Sequence, residues 1–117
     1  MKPLAITGIG IYTSLGCGVN MNWQQLIQGH SGVRRISRFS TQDLPVTIAA
    51  SVEFNQDGIN AANALAQEVL TQAILQSQLQ AHEIEQAQLV CASSPRELIW
   101  SGWSGRLGAW QAYCDST

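Results

Sequence analysis

Cys17, Cys91, Cys114, His30 and His82 are the side chains of this sequence best suited to act as nucleophile or general base. A thiol becomes a useful nucleophile when a helix N-terminus, a nearby cation or a paired histidine stabilises its thiolate. No such partner is tied to any of the three cysteines by a recognisable spacing. Their number is odd, and neither Cys-x-x-Cys nor a Cys/His ligand spacing occurs, so neither a disulfide framework nor a metal site is expected. His30 sits in the turn Gly29-His30-Ser31-Gly32 and His82 in a link after a long helix; both read as surface or capping histidines. Asp43, Asp57, Glu83 and Glu85 show no acid–base pairing that the sequence establishes.

Glycine-rich loops offer a second kind of chemistry, the cradling of phosphates. Leu4-Ala5-Ile6-Thr7-Gly8-Ile9-Gly10 is a short apolar run that breaks into such a loop. A dinucleotide fingerprint needs Gly-x-Gly-x-x-Gly, whereas the third position here is Thr13 and the next glycine is Gly16. A small nucleotide-binding α/β domain is therefore the weakest of three readings, and no cofactor-binding residue is assigned.

The elements that would position these groups alternate between strand and helix, which gives an α/β class. The opening run reads as a first strand. Asn20 and Asn22 offer capping acceptors ahead of a short helix through Trp23, Leu26 and Ile27 that ends at Gly29. Residues 31–45 carry turn residues and basic charge without a sustained period and read as a loop, and Val46 to Val52 reads as a second strand. From about Asn60 to Leu79 the period becomes helical, with Ala62, Leu65, Ala66, Val69, Ala73 and Ile74 on one stripe. A helical turn near Glu83 to Gln86 then leads to a third strand, Gln88 to Ala92. The tail from Ser93 differs in character, because Trp100, Trp103 and Trp110 crowd into a run rich in Gly, Ser and Arg.

Charged residues make up 12% of the 117 residues and apolar residues 45%. Soluble domains average roughly 25% charged, so much of this surface is expected to be covered by other protein. A net charge of −2 gives no electrostatic preference for nucleic acid or an anionic membrane. Neither a signal peptide nor a membrane span is read, and the cytoplasm is the expected compartment. Arg34, Arg35 and Arg38 form a local basic cluster, which is read as a solvated loop or as contact for an acidic partner.

Four ordered segments together resemble the N-terminal end of the β-ketoacyl-acyl-carrier-protein synthases, the elongating condensing enzymes. Thr7-Gly8-Ile9-Gly10 matches the family's Thr-Gly-x-Gly, and Thr13-Ser14-Leu15-Gly16 keeps the closing glycine of the following loop while replacing its Ser-Pro pair. Trp23-Gln24-Gln25-Leu26-Ile27-Gln28-Gly29-His30-Ser31-Gly32-Val33 resembles Trp-x-x-Leu-x-x-Gly-x-Ser-Gly-Ile and is followed by Ile36 and Arg38-Phe39. Ile48-Ala49 and the alanine-rich helix fall in the family's order. The resemblance divides the chain into a synthase-like segment, residues 1–92, and an unmatched Trp-rich tail, residues 93–117. That tail is either a divergent extension with aromatic anchors or the product of truncation or a shifted frame.

The resemblance implies a thiolase-type fold of alternating helix and sheet layers, here incomplete. It implies decarboxylative condensation of an acyl thioester with malonyl-carrier protein in fatty acid or polyketide synthesis, without metal or nucleotide. It further implies acyl-carrier protein as partner and a homo- or hetero-oligomer of synthase-like chains. The family's nucleophilic cysteine and later histidines fall beyond the matched segment, so no catalytic residue is assigned and the chain is expected to be inactive alone. Val90-Cys91-Ala92-Ser93-Ser94 superficially resembles the nucleophile's surroundings. Its order in the chain places Cys91 in an earlier strand, and Pro95 suits a loop better than an activating helix, so Cys91 is read as structural. The rival to the synthase reading is a noncatalytic subunit that pairs with an active ketosynthase.

Overall fold

The computed structural model describes residues 2–53, 59–92 and 104–106 of the chain, which divides into two compact units, Met1–Gln76 and Ser77–Thr117. In the first unit, β1 (Tyr12–Thr13) and β2 (Gly16–Cys17) form a tight antiparallel hairpin across Ser14 and Leu15. The Gly18 amide extends this ladder by donating to the Ile11 carbonyl at 2.9 Å. Helix α1 (Val19–Ile27) follows at once. Its N-cap is Gly18, at φ 91°, a backbone conformation that side chains rarely adopt.

Asn20 and Asn22 therefore lie inside α1 rather than ahead of it, which corrects the capping role expected from the sequence. Asn22 is 5% exposed and acts across the hairpin instead. Its Nδ2 donates to the carbonyls of Gly16 (2.9 Å) and Gly18 (2.7 Å), and its Oδ1 accepts from the Thr13 hydroxyl. That hydroxyl in turn accepts the Leu15 amide at 3.1 Å. The other end of α1 closes as the sequence indicates. Gly29, at φ 73°, donates to the Leu26 carbonyl at 3.0 Å, and His30 donates to the Gln25 carbonyl at 3.0 Å, the paired bonds of a Schellman motif.

The segment expected to be loop, residues 31–45, contains a strand. Here β3 (Val33–Arg35) pairs antiparallel with β4 (Ile48–Ala50), with Arg34 opposite Ala49, and the Ile36 amide prolongs the ladder to the Thr47 carbonyl at 2.9 Å. The second strand is thus shorter than the Val46 to Val52 run, and its partner is local. Residues 4–6, expected as the first strand, form no ladder. Just beyond them the chain runs along α2 (Ile59–Ser77), where Gln76 Oε1 accepts the Ile9 amide at 2.7 Å and Gln72 Oε1 accepts the Ile11 amide at 3.0 Å. Between these two bonds Gly10 meets the helix so closely that a Cβ there would lie 1.9 Å from the Val69 carbonyl oxygen.

The second unit begins where α2 ends. Gln78 takes a left-handed conformation at φ 58°, and α3 (Ala81–Gln86) starts with the Gln80 amide held by Glu83 Oε2 at 2.7 Å, one arm of a capping box. Strand β5 (Gln88–Val90) pairs antiparallel with β6 (Ser104–Arg106), with Leu89 opposite Gly105. The third strand stops at Val90, before Cys91 and Ala92, and its partner comes from the Trp-rich tail. The tryptophans of that tail lie outside the described residues.

Replacing Asn22 tests the hairpin clamp. Asn22→Ala leaves two carbonyls and a hydroxyl without their protein partner and is expected to cost about 2–3 kcal/mol in urea unfolding. Asn22→Asp is expected to do at least as much harm, because a carboxylate oxygen would face the Gly16 and Gly18 carbonyls. Gly10→Ala forces backbone apart from backbone and is expected to cost about 1–3 kcal/mol, with faster hydrogen exchange at Ile9 and Ile11 as its local signature. Unchanged exchange at those two amides would contradict the close helix contact.

Candidate functional site

A cleft of about 360 Å³ in the first unit lies between the β1–β2 hairpin and the β3–β4 ladder. Both walls follow from local geometry. Asn22 fixes the turn that presents Ser14, and Gly32 lets the start of β3 approach it, since a Cβ at Gly32 would lie 2.0 Å from Ser14 Oγ. Arg34, Arg35 and Arg38 line the cleft together with the hydroxyl residues Thr13 and Ser14. Glu53 is the acidic residue of the lining, and its carboxylate stands 3.9 Å from Arg34, with both side chains largely in solvent. The sequence shows the arginine cluster but not the hydroxyls, because Thr13 and Ser14 reach it only through the hairpin and the Ser14–Gly32 approach.

The two described cysteines belong to different units, Cys17 to the first and Cys91 to the second. Cys17 is exposed at the end of β2, where its thiol donates to Glu68 Oε1 at 3.5 Å and its sulfur accepts from Gln72 Nε2 at 3.1 Å. Desolvation, together with the bond to Glu68 and the negative charge of that carboxylate, raises the thiol above its ordinary value, against an opposing pull from Gln72. A carboxylate beside a thiol thus works against thiolate formation, and the Cys17 pair is not an activated nucleophile. Cys91 directly follows β5 and is half-buried, and desolvation raises its thiol as well. Cys114 lies outside the described residues.

Among the described residues, the other candidate groups serve local roles. His30 is exposed, with Nδ1 2.6 Å from Gln25 Oε1, and so serves the end of α1. His82 is exposed on α3, Glu83 caps that helix, and Asp43 and Glu85 are exposed; Asp57 is outside the described residues. Among the described residues no three His, Cys, Asp or Glu side chains converge as a metal site, and no helix is long and apolar enough to cross a membrane.

The Cys91 thiol gives a pH test. Its folded-state value is raised, so its contribution to stability is complete below the ordinary thiol range and is lost as pH rises through and above that range. The urea midpoint is expected to fall between neutral pH and pH of about 10, and Cys91→Ala is expected to flatten part of that fall. An unaltered slope in the variant would refute a desolvated Cys91, as would alkylation by iodoacetamide at neutral pH faster than that of an unstructured thiol.

The family described as beta-ketoacyl synthase, N-terminal domain, matches residues 1–97. The chain is similar to 3-oxoacyl-acyl-carrier-protein synthase 2 of Rhizobium meliloti (strain 1021), at 34% identity over 64 residues, which cover 55% of this chain and 15% of that protein. It is 43% identical over 51 residues to the protein of the same name from Coxiella burnetii, covering 44% of this chain and 12% of the relative. With 3-oxoacyl-acyl-carrier-protein synthase II, chloroplastic, of Arabidopsis thaliana it shares 34% identity over 58 residues, 49% of this chain and 11% of the relative. The matched part is thus a small fraction of each relative's length, and no solved structure matches the chain. With its Thr-Gly-x-Gly start and its Trp-to-Val33 segment inside the matched range, the chain belongs to the beta-ketoacyl synthase N-terminal domain family, whose fold is thiolase-like.

Proposed function

We propose that this chain forms the opening part of a 3-oxoacyl-acyl-carrier-protein synthase of fatty acid or polyketide synthesis. The observation that carries the reading is the family match over residues 1–97, joined to relatives of that name of which the chain covers 11–15%. The family reaction joins an enzyme-bound acyl thioester to malonyl-carrier protein with loss of carbon dioxide. In this reading the described residues supply scaffold: the hairpin, its Asn22 clamp and the strand-like segment held on α2. Residues 1–92 form the synthase-like segment, residues 93–117 form the Trp-rich tail, and no residue of the chain acts as nucleophile or decarboxylation base. Both described cysteines, with thiols raised rather than lowered, support that assignment.

Acyl-carrier protein is then the partner of the complete enzyme, and synthase-like chains are its oligomeric partners, in the cytoplasm. Exposed apolar side chains on α1, Trp23 at 60%, Leu26 at 59% and Ile27 at 57%, also favour a second reading. In that reading the chain is a noncatalytic subunit whose apolar surface is covered by an active ketosynthase.

Incubation with acyl-carrier protein substrates tests the proposal. The intact mass of the chain is expected to stay unchanged with acyl-carrier protein, and no carbon dioxide is expected from malonyl-carrier protein. Stoichiometric thioester formation on any cysteine would overturn the scaffold assignment. Stable co-purification with a full-length ketosynthase, without acylation of this chain, would favour the subunit reading.

A further inference from the structure

The arginine-lined cleft is unused by the function proposed above, and its content is chemically one-sided. Three of the chain's six Lys and Arg residues line it, Arg34, Arg35 and Arg38, while Glu53 is its acidic member. Arginine presents a planar fork of donors that matches the oxygens of phosphate in a bidentate arrangement. The Ser14 hydroxyl adds a neutral donor on the opposite wall, positioned by the hairpin that Asn22 clamps through Thr13. A volume of about 360 Å³ falls within the range of small-molecule sites and exceeds what a bare ion fills. The concave form favours a small ligand over the broad face of an acidic protein.

We propose that this cleft binds a small phosphorylated ligand, its phosphate held by Arg34, whose side chain stands beside the lining residue Glu53, and by Arg38, while Arg35 leaves β3 on the opposite face. Glu53 opposes this binding. Its contact with Arg34 is long, at 3.9 Å, and the two side chains are 72% and 91% exposed, so solvent screens it and an incoming phosphate displaces it at little cost. This makes Glu53 an adjustable negative regulator of the site's affinity. The proposal does not depend on the synthase reading, because it uses only the lining of one cleft.

Inorganic pyrophosphate titrated into the full chain at low ionic strength, followed by amide NMR shifts and equilibrium dialysis, provides the test. Saturable shifts are expected at Thr13 to Gly16 and Arg34 to Arg38, with Ala81 to Val90 unmoved. Paired substitution Arg34→Gln and Arg38→Gln is expected to weaken binding at least tenfold, whereas Lys2→Gln changes it less than twofold. Glu53→Gln, at a largely exposed position, is expected to tighten binding severalfold, a gain that misfolding cannot imitate. Non-saturating shifts spread over the chain, equal losses in the Lys2 variant, or no gain from Glu53→Gln would overturn the proposal. So would a polyglutamate peptide that saturates the same amides more tightly than pyrophosphate, which would identify an acidic-protein surface instead.

Discussion

Asn22 holds together a piece of chain too short to hold itself. A two-residue turn between two-residue strands cannot stand alone in water, and here the Asn22 side chain ties the hairpin to α1. The bond sequence is continuous: the Leu15 amide to the Thr13 hydroxyl, that hydroxyl to Asn22 Oδ1, and Asn22 Nδ2 to two glycine carbonyls. Only a side chain with one acceptor and two donors completes it, which an amide provides and neither a carboxylate nor an aliphatic group does. Burial at 5% exposure raises the stakes, because an unmet polar group there would find little water. The position of Ser14, and with it one wall of the arginine cleft, depends on this arrangement.

A second matching of geometry links the N-terminal segment to α2. Residues four apart on a helix are separated by about 6 Å along its axis, and alternate residues of an extended chain by about 6.6 Å. Gln72 and Gln76 are four apart, and Ile9 and Ile11 are alternate, so two glutamine carbonyls reach two backbone amides in register. The pairing is antiparallel, Gln76 with Ile9 and Gln72 with Ile11, and Gly10 lies where any Cβ would strike the Val69 carbonyl. The glutamine-rich composition of this helix thus has a physical use: its side chains stand in for a neighbouring strand.

Helices α1 and α2 were legible from their apolar period, and Gly29 as the stop of α1 was legible from its freedom at positive φ. Capping by Asn20 or Asn22 was not, because Gly18 takes the N-cap through an unusual backbone angle rather than through a side chain. Strand β3 escaped because Val33-Arg34-Arg35 has neither alternation nor apolar length, and its pairing with Ile48 to Ala50 is a tertiary fact. Strand β6, Ser104-Gly105-Arg106, consists of residues with little strand preference and exists through its ladder to β5. For the site, the sequence displayed the arginines but not their hydroxyl neighbours, which lie about twenty residues away and meet them only after the hairpin folds.

The residues read as a first strand show why sequence and structure differ at this end of the chain. Leu4 and Ile6 are 98% and 85% exposed, and their backbone joins no ladder, although residues 9–11 just beyond are fixed on α2. Burying each of these side chains in a packed layer would contribute about 1.5–3 kcal/mol, and a flanking strand would satisfy the backbone as well. With the glutamine contacts already setting its direction and register beside α2, the segment would meet a flanking strand with part of its ordering entropy already spent. Strand character at residues 4–6 is therefore written in the apolar pattern alone, and the local contacts beside α2 do not complete it.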